Sequence, residues 1–461
     1  MFALPPSASI HGADFYQQPA GKTENTTGSR SGRLEIWIVT IVLFSFLTPA
    51  QAQTVSNAYF GMHMHGGVIA RQPWPVDSFG SVRLWDASVN WANINTAKGV
   101  YDWSYLDKWL AEGKTHNVQF LYTFGRVPQW ASSSPYESGC GDGPGECAPP
   151  NDVNPDGSGT DQHFKDFVTA LAAHNKNSSY PHIKYWELWN EPYNAPSWVG
   201  TVAQMVRMAK DATAILKAAD PTAMVLVPSV CIEGTKGRNW LDAYLAAGGS
   251  NYADMVAFHG YVQKRGLPLE PGNIVTYVSL TRTILAKYGL QGKPMWDTEI
   301  SWGVPTVSSP AFMDEDLRMG FIGQMYLLQQ SIGVARQFWY QWNNSVVGTM
   351  WLPNPNVPGA PGTVLKTGVA YGQVNNWMVG ATVSSKCSVN GTVWACGYTR
   401  SGGYVAQAVW DSSQTCGSGK CTTSSFKVGT QFTQYRTLDG TTVKITGSSV
   451  PIGYKPILLE N

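Results

Sequence analysis

From about residue 58 to 345, short apolar runs bounded by turn residues alternate with stretches that carry the helical period. The runs are Tyr59–Met64, Ser81–Trp85, Val118–Phe124, Ile183–Asn190, Met224–Ser229, Met255–His259, Pro294–Glu299 and Arg336–Trp342. Each is long enough for a buried strand and too short for a helix. Between them, Trp103, Leu106, Trp109 and Leu110 share one helical face, and so do Phe164, Phe167, Val168 and Leu171 behind a cap at Thr160. Another helix carries Val202, Met205, Val206, Ile215 and Leu216 and ends before Pro221. Strand and helix alternating eight times predict an α/β fold, the (β/α)8 barrel. A doubly wound open sheet is the rival. It would show a glycine-rich phosphate turn after the first strand, and Gly66-Gly67 lacks that spacing.

Beyond about residue 375 the helical period disappears. Thr, Ser, Val and Gly dominate short alternating stretches such as Thr392–Tyr398, Tyr404–Trp410 and Gln431–Leu438, which predicts a small antiparallel β-sandwich beside the barrel. At the other end, a polar segment precedes Arg33, the apolar run from Ile36 to Leu47, and Ala50-Gln51-Ala52. A basic flank, a short apolar stretch and a small-x-small site read as an export signal, with the mature chain beginning at Gln53. The run is shorter than the ~20 residues a spanning helix needs, which makes a retained anchor the weaker alternative. The expected division is therefore 1–52 as an unstructured leader and signal peptide, 53–375 as the barrel and 376–461 as the β-sandwich.

Cysteine spacing agrees with export. Cys140/Cys147, Cys387/Cys396 and Cys416/Cys421 form three close pairs, each able to close a short loop in an oxidising compartment. Zinc is the competing use, and the lack of nearby histidine argues against it. Cys231 is left over in the apolar context Val-Pro-Ser-Val-Cys-Ile, where a buried inert thiol is expected. With 32 basic against 31 acidic residues, the surface has no general attraction for phosphate backbones or anionic lipid. Nucleic acid and membranes are thus not expected partners, and the mature chain is expected to be a monomer. The surplus is aromatic: 19 Trp and 21 Tyr can line a core, or offer sugar rings a flat apolar face.

Barrel enzymes gather reactive groups at the carboxyl ends of their strands. Here the fourth run ends Trp189-Asn190-Glu191-Pro192, and the seventh is Trp296-Asp297-Thr298-Glu299. Each sets a carboxylate at the end of an apolar strand among indoles. Burial there penalises the charged form, so one carboxyl can hold a proton while its partner stays ionised. An acid and an ionised carboxylate are the two groups that glycosidic bond cleavage needs.

These motifs resemble clan A glycoside hydrolases, and most closely family 39, whose members pair a (β/α)8 barrel with a β-sandwich. The resemblance extends over residues 58–461, including the closing Val450-Pro451-Ile452-Gly453. It implies that Glu191 is the general acid/base and Glu299 the nucleophile of a retaining reaction, with the two carboxyls about 5–5.5 Å apart. It also implies that Asn190 bonds the sugar 2-hydroxyl and that Arg83, ending the second strand, steadies Glu299 and makes it the more acidic of the two. His259 and Tyr261 match positions that orient the nucleophile or touch the sugar, and Trp339, with Trp342 as a second candidate, resembles the sugar platform. His65 and Trp302 are further candidates for substrate contact.

Other chemistry fits less well. His63 and His65 stand two apart on a strand and share a face, but no third metal ligand is evident, so no metal and no cofactor are expected. A copper oxidase of polysaccharides would need histidine at the mature N-terminus, where Gln53 stands. Glu187, four residues before Glu191 and on the same strand face, is expected to be a buried partner of the site. The expectation is a secreted retaining hydrolase of poly- or oligosaccharide, endo-acting. The alternatives are an exo-acting β-xylosidase-like enzyme and a carbohydrate-binding barrel without turnover.

Overall fold

In a computed structural model, residues 54–262, 270–303, 314–344, 347–354, 360–417 and 419–461 are described. The export segment and Gln53 lie outside them. Each of the eight apolar runs overlaps a strand, with β7 running one residue past its run and β8 starting two residues before: β1 Phe60–His63, β2 Ser81–Leu84, β3 Gln119–Thr123, β4 Tyr185–Glu187, β5 Met224–Leu226, β6 Val256–His259, β7 Met295–Ile300 and β8 Val334–Trp339. They pair in parallel in the order β5-β4-β3-β2-β1-β8-β7-β6. Parallel bridges from Leu226 to Met255 and from Cys231 to His259 bring β5 back to β6 and close the ring. The result is a (β/α)8 barrel whose floor is filled by Leu121, Leu226, Met255, Ala257, Trp296 and Phe338.

The helices follow the predicted faces. Gln162–Asn177 buries Phe164, Phe167, Val168 and Leu171. Its start differs from the Thr160 cap expected from sequence: the backbone N–H groups of Gln162 and His163 donate to Asp152 Oδ2 at 2.6 and 3.1 Å. The preceding loop folds back, so a carboxylate remote in sequence takes the cap. Val202–Ala219 opens with a capping box between Thr201 and Gln204 and stops ahead of Pro221.

After the last α-helix, Lys366–Met378, the chain enters a six-stranded antiparallel sheet whose longest members are Thr382–Asn390, Val393–Arg400 and Tyr404–Asp411. Strand alternation gives this sheet two apolar faces. Ala408, Trp410 and Leu458 join the barrel's core, while Val409, Ile457 and Leu459 pack with Val450 and Ile452 of a smaller two-stranded sheet. The described residues form one compact unit. Disulfides join Cys140 to Cys147, Cys387 to Cys396 and Cys416 to Cys421. Among the described residues no helix is long and apolar enough to cross a membrane.

Candidate active site

Beyond β4 the chain stays extended long enough for Asn190 to bridge Ser229 on the β5 side. Glu191 then donates its N–H to the Ser229 carbonyl at 3.0 Å. Its φ of 47° is left-handed, which costs a residue with a side chain about 1–2 kcal/mol, and Pro192 supplies no N–H to continue the ladder. This sharp exit turns the Glu191 side chain into the barrel mouth. There its Oε1 accepts from His259 Nδ1 at 2.8 Å and from the Cys231 thiol at 2.9 Å. Glu299 comes from β7 on the other side. Its Oε2 accepts from Arg83 Nη1 at 3.0 Å and its Oε1 from the Tyr261 hydroxyl at 2.8 Å. The imidazole of His259 lies between the carboxylates, with Nε2 3.9 Å from Glu299 Oε2.

Arg83 is the structural centre of this group. Its guanidinium is wholly buried and reaches Glu187 Oε2 at 2.6 Å through Nε, Glu299 through Nη1, and Asn190 Oδ1 at 2.7 Å through Nη2. Glu187 is held further by Thr123 Oγ1 at 2.6 Å and Thr298 Oγ1 at 2.7 Å. It is therefore the buried partner anticipated from strand alternation. A charge buried this deeply is tolerable only with such pairing. Because Asn190 gives its oxygen to Arg83, its amide NH2 remains available as a donor.

The charge balance differs from expectation. Arg83 does touch Glu299, yet burial raises the Glu299 carboxyl above the usual range, outweighing the opposing pull of His259 and Arg83. Burial works the same way on Glu191, but the hydrogen bond and charge of His259, then the Cys231 thiol and Arg83, hold it down to about 2. In turn, burial opposes the charged imidazole of His259, and the two glutamates raise its pKa regardless. In the free site the negative charge thus favours Glu191. The sequence reading weighed the arginine and missed that His259 bonds directly to the other carboxylate.

The tryptophans are not where the resemblance put them. Trp339, Trp342 and Trp302 are all buried. Trp339 points behind β8, its Nε1 donating to the Gly348 carbonyl at 2.8 Å and its ring 5.3 Å from that of Trp302. The Trp302 ring lies under the Arg318 guanidinium at 5.1 Å. Phe338 fills the floor, so alternation gives the mouth to Tyr340, which is half-buried and donates to Asp86 Oδ2 at 2.6 Å. The backbone N–H of Trp342 donates to the His63 carbonyl. His65 is exposed beyond the end of β1, and its N–H donates to Asn343 Oδ1, whereas His63 is buried with Nε2 2.8 Å from the Thr298 carbonyl.

Sequence reasoning also missed Cys231. It is partly exposed at the mouth, because β5 continues past its last ladder residue to the bridge with His259, while burial and then the nearby Glu191 and Glu233 raise its thiol well above the usual range, in keeping with the expected unreactive thiol. The signal was present: the rule that picks polar residues at strand ends selects it once β5 is extended. Two residues on, burial pushes the Glu233 carboxyl up to about 7, and its Oε2 has no hydrogen-bond partner. Among the described residues, Glu191, Cys231 and His259 are the one group offering three potential metal-ligand atoms, all within 4.8 Å of one another.

Comparisons with known proteins point to the same fold. The family model described as cellulase, glycosyl hydrolase family 5, matches residues 134–306, a stretch that contains both glutamates. No curated protein matches the chain in sequence. Among solved structures, a family 39 glycoside hydrolase from the gut symbiont Bacteroides cellulosilyticus WH2 superposes with a TM-score of 0.60 at 16% identity, over 88% of this chain and 82% of the other. A monomeric β-xylosidase from Caulobacter crescentus CB15 gives 0.60 at 15% identity, over 88% and 96%. A family 30 endoxylanase from Clostridium papyrosolvens C71 gives 0.53 at 13%, over 89% and 97%. The fold is that of the clan A glycoside hydrolases, and family 39 enzymes are among the structures it resembles.

Proposed function

We propose that the protein is a secreted, retaining O-glycosyl hydrolase that cuts a poly- or oligosaccharide by double displacement. Glu191 serves as general acid/base and Glu299 as nucleophile. The observation that carries this reading is the meeting of two strand-terminal glutamates at a single imidazole, His259, over one buried arginine. In the first step Glu299 attacks the anomeric carbon as Glu191 gives a proton to the departing glycosidic oxygen, leaving a glycosyl ester on Glu299. In the second, Glu191 takes a proton from water, whose oxygen attacks the same carbon and frees Glu299. The pair needs one proton in all and titrates as a unit. His259, with one nitrogen toward each carboxylate, offers that proton a path to Glu191 when substrate arrives. The Asn190 amide would meet the sugar 2-hydroxyl, a contact that strengthens as the oxocarbenium-like transition state forms.

Endo action on a polymer is supported by the long loop after β3. Gly141 N–H donates to the Pro196 carbonyl, and Val199 N–H to the Cys147 carbonyl, both at 2.9 Å, so this loop is fastened to the segment that follows Glu191 as one wall of the mouth. Neighbours named for xylosidase and xylanase activity make xylan the first substrate to try, and favour exo-acting β-xylosidase action as the second reading. Three disulfides and the apolar segment before Gln53 support export. The test incubates the protein with plant and bacterial polysaccharides and reads product lengths by mass. A ladder of oligomers supports endo cleavage and monomers alone support the exo reading. Glu299→Ala should lose activity and regain it with azide, giving a glycosyl azide of inverted configuration; turnover unaffected in Glu299→Ala or Glu191→Gln would end the proposal.

A further inference from the structure

Glu191 sits between two other donors that bind metals well. Cys231 Sγ and His259 Nδ1 approach the same Oε1 atom, at 2.9 and 2.8 Å, and one donor atom from each of the three residues falls within 4.8 Å of the others. Zinc takes thiolate, imidazole and carboxylate together, with bonds of about 2.0–2.3 Å, so neighbouring donors around a tetrahedral ion stand roughly 3.3–3.6 Å apart. The present spacing needs to open by under about 1 Å to admit such an ion.

We propose that Glu191, Cys231 and His259 form an inhibitory site for a borderline-soft divalent cation, zinc or cadmium, with its fourth position open to the barrel mouth. The surroundings fit that role. A metal-bound histidine normally presents its other nitrogen to a carboxylate or carbonyl. Here Nε2 of His259, in a fully buried side chain, has no hydrogen-bond partner and faces Glu299 Oε2 at 3.9 Å. Metal at Nδ1 displaces the proton there, and the proton on Nε2 then points at that carboxylate. Binding releases the Cys231 thiol proton and the Nδ1 proton of the His259 imidazolium to solvent, and the two negative ligands neutralise the ion. Calcium and magnesium, which prefer oxygen ligands in larger number, should not compete. Inhibition follows from the reading of Glu191 as acid/base, since a carboxylate bonded to metal cannot carry a proton. Occupancy of the site does not depend on that reading.

Cobalt(II) titration of the tag-free protein tests occupancy directly. All seven cysteines are described, six are in disulfides and Cys231 is the free one, so a thiolate-to-cobalt absorption band in the near ultraviolet reports on this residue alone. The band should appear in the wild type, vanish on adding zinc or EDTA, and be missing from Cys231→Ser and Cys231→Ala samples whose melting curves show them folded. In parallel, hydrolysis of a chromogenic β-glycoside should fall with zinc, recover with EDTA and ignore magnesium. Each Cys231 variant, measured against its own metal-free rate, should need at least about tenfold more zinc for the same inhibition. A wild-type spectrum without the band overturns the site, as does equal zinc sensitivity in wild type and variants. Failure to hydrolyse any glycoside would instead count against the proposed function, with the cobalt spectrum still deciding the metal site.

Discussion

The two ends of the barrel each bury an arginine, and they treat it in opposite ways. At the mouth, Arg83 is pinned by Glu187, Glu299 and Asn190. Although burial opposes its charge, the two carboxylates raise its pKa. At the floor, Arg336 lies 4.2 Å from the Trp296 ring and 4.7 Å from that of Tyr185, with the Gln119 side chain and the Tyr185 hydroxyl as acceptors and no carboxylate partner among the described residues. Burial lowers its pKa to about 10. Ring faces and an amide hold a cation in place, but only carboxylates fix it while being fixed themselves. The mouth is a device for positioning anions, whereas the floor is packing that happens to contain a charge.

Replacing each arginine by an apolar residue of similar length gives the sharpest contrast. Arg83→Met leaves Glu187 uncompensated in the core and frees both Glu299 and Asn190. Removing one partner of a buried pair costs about 3–5 kcal/mol, so the melting temperature should drop steeply. Glycosidase activity per folded molecule should fall by roughly 10²-fold or more, because Glu299 loses both its position and a neighbouring cation. A variant with normal stability and turnover would show that the mouth is no more demanding than the floor. Arg83→Lys should recover little, since an ammonium cannot span three partners in a plane.

His259→Asn separates position from charge at the mouth. The imidazolium lowers the pKa of both glutamates, and on Glu191 it outweighs every other lowering influence. Without it both carboxyls bind protons more tightly. The acidic limb of the kcat/KM profile follows ionisation of the nucleophile and the basic limb follows loss of the acid's proton, so both limbs should move to higher pH. The maximum should fall by about 10–100-fold as proton delivery to Glu191 weakens. A profile that keeps its limbs would mean that His259 only packs.

These contrasts also mark what the sequence could reveal. The eight strands were legible because a barrel strand buried on both faces reads as a continuous apolar run. Glu191 and Glu299 stood out for the same reason, as carboxylates closing such runs. What stayed hidden depends on orientation and on contacts between distant strands. Trp339 and Tyr340 are adjacent, and a shift of one residue in the inferred register exchanges the side chain facing the mouth for the one behind the sheet. A continuous apolar run carries no alternation from which to choose. The direction of the charge imbalance was hidden too, since it depends on His259 reaching across from β6 to Glu191 and not on any neighbour in sequence. The place of Cys231 at the mouth was hidden because its local context is apolar, although its bridge partner lies in the site.

Arg336→Met should do much less than its counterpart at the mouth. The cation has no carboxylate to abandon, and an apolar side chain fits between Trp296 and Tyr185, so stability should stay within about 1–2 kcal/mol of wild type and can rise. Turnover should remain within about twofold, because the floor contributes no group to the reacting carboxylates. A large loss of activity without loss of fold would break the comparison, since it would mean that the packing at Trp296 governs how β7 presents Glu299.

The smallest expected effect asks where the mouth ends. Tyr136 lies on the loop wall after β3 and is 84% exposed, far more than a core aromatic and with no packing role to lose. If a polymer runs along that wall, the ring supplies a stacking face worth about 0.5–1.5 kcal/mol. Tyr136→Ala should then raise KM for a long polysaccharide by roughly two- to tenfold and leave a short chromogenic glycoside untouched, since the latter reaches only the sugar sites beside Glu191 and Glu299. Stability should not change. Equal effects on both substrates would place the ring beside the reacting sugar, and no effect on either would put the wall outside the path of the chain and favour a closed exo-acting pocket over an extended cleft.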